Sequence, residues 1–168
     1  MTVIETERLA LREIRADDAA FILELVNDPA WLRFIGDKKV KTIEDARGYI
    51  ERGPRALYAR HGFGLWLVEV KEGSEPAGIC GLVKRETLAD VDIGFAFLPR
   101  HRARGYAREA AEATLDYARR VLGLTRIVAI ASPDNERSSR LLEKIGLRFE
   151  HKLRLAVDAD EVALFATP

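Results

Sequence analysis

The chain has 168 residues, 48% hydrophobic and 32% charged, enough apolar material to bury a core and to exclude global disorder. Lys plus Arg and Asp plus Glu each number 27, so the formal net charge is zero and there is no broad basic field for gripping nucleic acid or anionic lipid. One cysteine, Cys80, excludes an intrachain disulfide, and no Cys/His cluster offers a metal site.

The opening segment Met1 to Ala10 carries Glu5, Glu7 and Arg8 with no apolar signal-type core, and no run approaches ~18 apolar residues. With no linker or low-complexity run, residues 1–168 read as a single cytoplasmic domain without membrane attachment. Leu9 to Ile14 is a short strand. Asp17-Asp18 opens a helix with Phe21, Ile22, Leu25 and Val26 at helical spacing, closed by Pro29. Trp31 to Ile35 is a second helical piece. Thr42 and Asp45 form a capping box ahead of a helix through Ile50 that Gly53-Pro54 stops.

Three strands follow, Gly64 to Val70, Ala77 to Lys84 and Asp90 to Leu98, joined by turns at Gly73 to Pro76 and Glu86 to Ala89 as an antiparallel meander. The period then changes. Ala107, Ala111, Leu115, Ala118 and Leu122 stripe one long helix ending at Gly123. Arg126 to Ala131 is β-rich, Asn135 to Ile145 is a shorter helix, and Leu147 to Val157 with Glu161 to Ala166 form a closing hairpin. The predicted architecture is α+β, a mixed α/β sheet with helices on both faces.

The most informative segment runs from Asp92 to Ala107, a strand leading through an Arg/Gly turn into the longest helix. Backbone N–H groups at such a junction, with the helix dipole, suit a pyrophosphate. Arg100, Arg102 and Arg104 add charge, and Gly105 and Ala107 permit close approach. Neither a Walker loop nor a GxGxxG is present; what remains is R-x-x-G-x-A, Arg102 to Ala107. A solvated Arg-rich turn accounts for that motif equally well. Parity in the strand adds to it. Val91, Ile93, Phe95 and Phe97 share one face, while Asp92, Gly94 and Ala96 leave the other nearly bare except for a carboxylate. In the second constellation, Asn135 to Leu147, either Asn135 simply caps an amphipathic helix ending at Gly146, or Asn135 and Ser138 face a cleft. Cys80 reads as buried filler, and His101 as a phosphate contact or an exposed loop residue. Trp31 and Phe34 either line an acceptor pocket or pack in the core.

At these residues the chain resembles the GCN5-related N-acetyltransferase (GNAT) superfamily, and within it the RimJ/RimL-like branch that acetylates ribosomal-protein N-termini. Thr6 to Arg12 with Ala16 to Ala19 is similar to that branch's opening T-E-R-L-x-L-R … D. Asp92 to Phe95 resembles its acidic–apolar–Gly–aromatic strand, and Arg102 to Ala107 its acyl-CoA pyrophosphate loop. Asn135 to Leu147 resembles its N-x-x-S … L-E-K-x-G-F helix, with Leu147 in place of the aromatic residue.

The resemblance implies the GNAT fold, with a sheet splayed between the strand ending at Leu98 and that of Arg126 to Ala131. Acetyl-CoA would lie in the gap, pantetheine against the backbone of Phe97 and Leu98, and pyrophosphate on Arg102, Ala103, Arg104, Gly105, Tyr106 and Ala107, with Asn135 alongside. It implies direct transfer of acetyl to a primary amine, either a protein N-terminal α-amine or a small molecule, with no metal. A backbone N–H near Phe97 or Leu98 would polarise the thioester. Asp92 stands where the family carries Glu and is the candidate base, acting through a water. Leu142 stands where many relatives carry Tyr, so Ser138 inherits the proton-donor role. A non-catalytic acyl-CoA sensor and a nucleotide-binding regulatory domain are the competing functions, and a homodimer stays open.

Overall fold

The computed structural model describes residues 2–168. Two short strands, β1 (Thr2–Glu5) and β2 (Leu9–Arg12), open the chain, followed by helices α1 (Ala19–Val26), α2 (Pro29–Phe34), α3 (Ile43–Ile50) and α4 (Ala56–His61). The expected meander is β3 (Leu65–Val70), β4 (Glu75–Val83) and β5 (Val91–Phe97). After it come α5 (Tyr106–Arg120), β6 (Ile127–Ala131), α6 (Glu136–Lys144) and the hairpin β7 (Arg148–Arg154) and β8 (Glu161–Ala166). Together the strands make one sheet of order β1-β2-β3-β4-β5-β6-β8-β7.

Three local expectations change. Pro29 does not close the first helix but begins the next: Asp28 caps α2 by accepting from the Ala30 N–H at 3.2 Å, and proline at the first helical position has no N–H to waste. Gly53-Pro54 does not stop α3. Glu51–Arg55 widens into a π turn, which accommodates a proline ring that would clash in α geometry, and the chain continues as α4. The Tyr58 hydroxyl on α4 then accepts from the Ile14 N–H at 3.0 Å and donates to the Leu65 carbonyl, tying this helix to the sheet. Glu75 and Pro76, read as turn residues, begin β4. The strand β1 had not been anticipated.

Each sheet face carries its own core. On one side α5 buries Ala110, Ala111, Thr114, Leu115 and Ala118 against Trp66, Leu82, Ile93 and Phe97. On the other, Ile22, Leu25, Trp31, Ala46 and Ile50 from α1 to α3 pack on Leu67, Ile79 and Leu98. Helices therefore flank the sheet on both faces, as the sequence indicates. No helix among the described residues is long and apolar enough to cross a membrane.

Candidate active site

The sheet comes apart in its middle. β5 and β6 run parallel and pair at Val91↔Ile127 and Asp92↔Val128, and no further. On its other edge β5 keeps a full antiparallel ladder with β4 from Asp92 to Phe97. The Leu98 N–H donates to the Ala77 carbonyl at 3.0 Å, so Leu98 faces β4. Successive residues of a strand direct their amides to opposite sides, so Phe95 and Phe97 direct theirs into the gap. Leu98, expected beside Phe97 as a pantetheine contact, is instead 1% exposed in the α1–α3 core with its N–H already used. The free edge belongs to Phe95 and Phe97.

The end of that edge leads into the Arg/Gly turn. Ala103 (φ 62°) and Gly105 (φ 81°) are both left-handed, and the alternation curls successive N–H groups into a concave anion nest at the N-terminus of α5. A left-handed alanine costs ~1–2 kcal/mol. The nest adjoins a groove of about 730 Å³ lined by Phe97, Tyr106, Ala107, Arg137, Leu141 and Lys144. Among the described residues Arg137 and Lys144 there have no carboxylate partner, whereas Arg108 and Arg140 are paired along their own helices with Glu112 and Glu136.

The arginines of the turn do different work from that expected. Arg102 donates through Nη2 to Asp28 (2.8 Å) and through Nε to the Phe97 carbonyl (3.0 Å), bracing the turn against α2. Arg100 pairs with Glu24 at 2.7 Å. Of these arginines Arg104 alone has a side chain with no partner among the described residues, and its carbonyl accepts from Arg8 at 2.9 Å. Arg8 also binds Glu109 on α5 at 2.7 Å and lies over the Tyr106 ring, so the β1–β2 turn clamps the nest from below. His101 is neither exposed nor free: it is buried, with Nε2 3.3 Å from Glu75.

A cavity of about 790 Å³ fills the gap between β5 and β6 and extends under α2. Asp92 sits in its wall, 1% exposed, with the Arg85 Nε 3.3 Å from Oδ1. Burial pushes its carboxyl up to about 6 against the pull of Arg85. Gly94 and Ala96 line the same wall, while Val91, Ile93 and Phe97 point into the α5 core, as strand parity indicates. Trp31 and Phe34 both line the cavity, and Trp31 belongs to the core as well. From β6 the chain passes through Ser132 to Asn135, whose side chain accepts from the Ser138 N–H at 3.2 Å and caps α6. Both readings of α6 hold together, because Asn135 caps the helix by accepting from the Ser138 N–H, and both residues line the cavity. Leu142 lies beside them, 1% exposed.

Residues 8–148 match the family model for the acetyltransferase (GNAT) domain. The chain belongs to the GNAT family. It is 34% identical over 155 residues to the uncharacterized N-acetyltransferase YoaA of Bacillus subtilis, covering 90% of this chain and 86% of that protein. Among solved structures, a GNAT-family acetyltransferase from Bacillus anthracis superposes with a TM-score of 0.80 at 28% identity, over 99% of this chain and 97% of that one. The ribosomal L7/L12 alpha-N-protein acetyltransferase RimL, in complex with coenzyme A, shares the fold with a TM-score of 0.82 at 21% identity, over 99% and 97%.

For a GNAT protein, whose family uses acetyl-CoA, the residues present fit that group: a strand edge with free amides, a nest at a helix N-terminus and a groove with two unpaired cations. Sequence reasoning missed Arg85, Lys38 and Tyr49, all in the cavity wall, and Arg137 and Lys144 in the groove. The first three come from a loop and from the α2–α3 region, where no spacing signals a ligand. Arg137 and Lys144 lay inside a helix already read as amphipathic, and their polar-face positions were the available signal.

Proposed function

We propose that this GNAT N-acetyltransferase transfers acetyl from acetyl-CoA directly to a primary α-amine, on a peptide N-terminus or a small molecule. The observation that carries the reading is the parting of β5 and β6 after Asp92, which leaves free strand amides beside a buried carboxylate. The shared fold of RimL, whose own structure contains coenzyme A, supports the same cleft for the donor.

In this reading the amide of Phe97 holds pantetheine along the open strand edge, and the N–H groups from Ala103 to Ala107, with Arg104, Arg137 and Lys144, hold the pyrophosphate. Bound there, acetyl-CoA supplies an activated thioester carbonyl. The Phe95 N–H, the free amide of that edge nearer Asp92, polarises that carbonyl. Asp92, with a carboxyl near 6, is ionised at neutral pH and accepts the proton of the attacking amine through a water. The carbon–nitrogen bond forms as the carbon–sulfur bond breaks, and Ser138, in the lining of the cavity, is the residue assigned to return a proton to sulfur, a role the apolar Leu142 cannot fill. Holding both reactants in one cavity supplies much of the rate. An α-amine, with a pKa of ~8 against ~10.4 for lysine, deprotonates readily enough for this modest equipment. The test is free-thiol release from acetyl-CoA over an amine panel. Saturable release with at least one amine supports the proposal; tight acetyl-CoA binding with no release for any amine refutes transfer and leaves a sensor.

A further inference from the structure

We infer that the acceptor carries a carboxylate beside its amine, recognised by Arg85 and Lys38. This rests on the acetyl-transfer reading above and narrows its acceptor.

The charges of the large cavity sort into three groups. Asp28 and Arg102 bind each other at 2.8 Å and neutralise one wall, and Glu136 and Arg137 belong to the α6 rim. The third group, around Asp92, is cationic in excess. Arg85 touches Asp92 through Nε alone, at 3.3 and 3.4 Å, and its two terminal nitrogens have no hydrogen-bond partner among the described residues. Lys38, an exposed residue of the segment after α2, lines the same cavity close enough to feel the Arg85 charge, and among the described residues it has no carboxylate or hydrogen-bond partner. Lys84, next to Arg85 in the chain, differs, because its ammonium is held by the carbonyls of Arg85 and Leu88. With Arg85 paired to Asp92 through Nε, Lys38 stands beside it as a cation without a counter-ion, next to a guanidinium whose outer fork is open, in the corner where the amine must meet Asp92.

Physical chemistry limits what such a corner accepts. A guanidinium whose outer fork is free presents two parallel donors, the geometry a carboxylate fills. The base itself needs its amine within a few ångströms, so that carboxylate lies close to the reacting nitrogen. Trp31 and Phe34 from α2, Ile35 just after it and Tyr49 from α3 complete the wall and suit an apolar or aromatic side chain. A polyamine would bring further positive charge against Lys38 and Arg85 and is disfavoured by the same arithmetic. The carboxylate can be that of a free amino acid or an acidic side chain near a peptide's N-terminus.

The test compares free amino acids, their primary amides, C-terminally amidated dipeptides with or without an acidic first residue, and spermidine. Each is measured by thiol release and, with coenzyme A present, by calorimetric binding. The expected result is at least about tenfold higher kcat/KM and tighter binding for carboxylate-bearing amines, the two sources separated by the amino-acid and dipeptide arms. Lys38→Gln should remove about tenfold of that preference through KM while leaving amide substrates, acetyl-CoA affinity and fold unchanged. Equal or better use of amides or spermidine by the wild type overturns the inference while transfer itself stands. Carboxylate-selective binding without turnover sustains the inference and sinks the transfer reading instead. Lys38→Gln lowering all acceptors alike refutes Lys38 as the discriminating contact.

Discussion

Replacing Asp92 with asparagine should remove function and add stability, in a pH-dependent way. The carboxylate is 1% exposed, and burial pushes it from an ordinary 3.8 up to about 6, Arg85 only partly offsetting the cost. Because the folded-state value lies above the unfolded one, the folded protein binds this proton more tightly. The stability held below the unfolded pKa is therefore lost as pH rises through about 6. The difference corresponds to about 3 kcal/mol at full ionisation. Asparagine keeps the shape and stays neutral, so Asp92→Asn should match the wild type near pH 4 and exceed it by up to about 3 kcal/mol at pH 8, roughly 6–12 °C in melting temperature. Turnover should fall about 100-fold or more, with acetyl-CoA affinity little changed. Urea or thermal unfolding of both proteins at several pH values reads the gap. A gap that does not widen with pH, or a variant less stable at pH 8, would show that Arg85 holds the carboxylate ionised at little cost.

Three other outcomes follow from the geometry. In the wild type, kcat should rise with pH through about 6 and then level, following ionisation of Asp92, and a profile flat from pH 5 to 8 would remove it from the proton path. Gly105→Glu places a charged side chain at φ 81° in the nest, so acetyl-CoA affinity should drop at least about 100-fold while stability falls only ~1–2 kcal/mol; unchanged affinity by calorimetry displaces the pyrophosphate from this loop. Arg8→Met removes the contacts to Glu109 and to the Arg104 carbonyl, and should raise the KM for acetyl-CoA several-fold with kcat preserved, as measured by steady-state kinetics.

Much of this was legible before any coordinates. The bulky-versus-bare parity of Val91 to Phe97, the small-residue stripe of α5 and the Arg/Gly turn each encode a local period or backbone need, and each reappears at its place in the fold. What escaped depends on contacts between distant residues. Arg102 looked like a phosphate ligand because its partner Asp28 lies 74 residues away, and nothing local announces the pair. Arg85 became visible only once the register Val83↔Asp92 brought the loop after β4 beside the carboxylate. Pro54 misled because its rule forbids an α turn but tolerates a wider one. Leu98 was one residue out: its parity in the strand decides which neighbour its amide meets, and that depends on where pairing begins.

The short junction at Val91 and Asp92 also has a mechanical consequence. Two rungs join the plate β6-β8-β7 to its neighbour, against six between β4 and β5. A seam that thin breathes more easily than the rest of the sheet, so amide exchange should be fastest along it. A molecule lodged there with amides of its own would stitch the plates into one stiffer body, and slower amide exchange at the seam on adding coenzyme A is the expected sign of it.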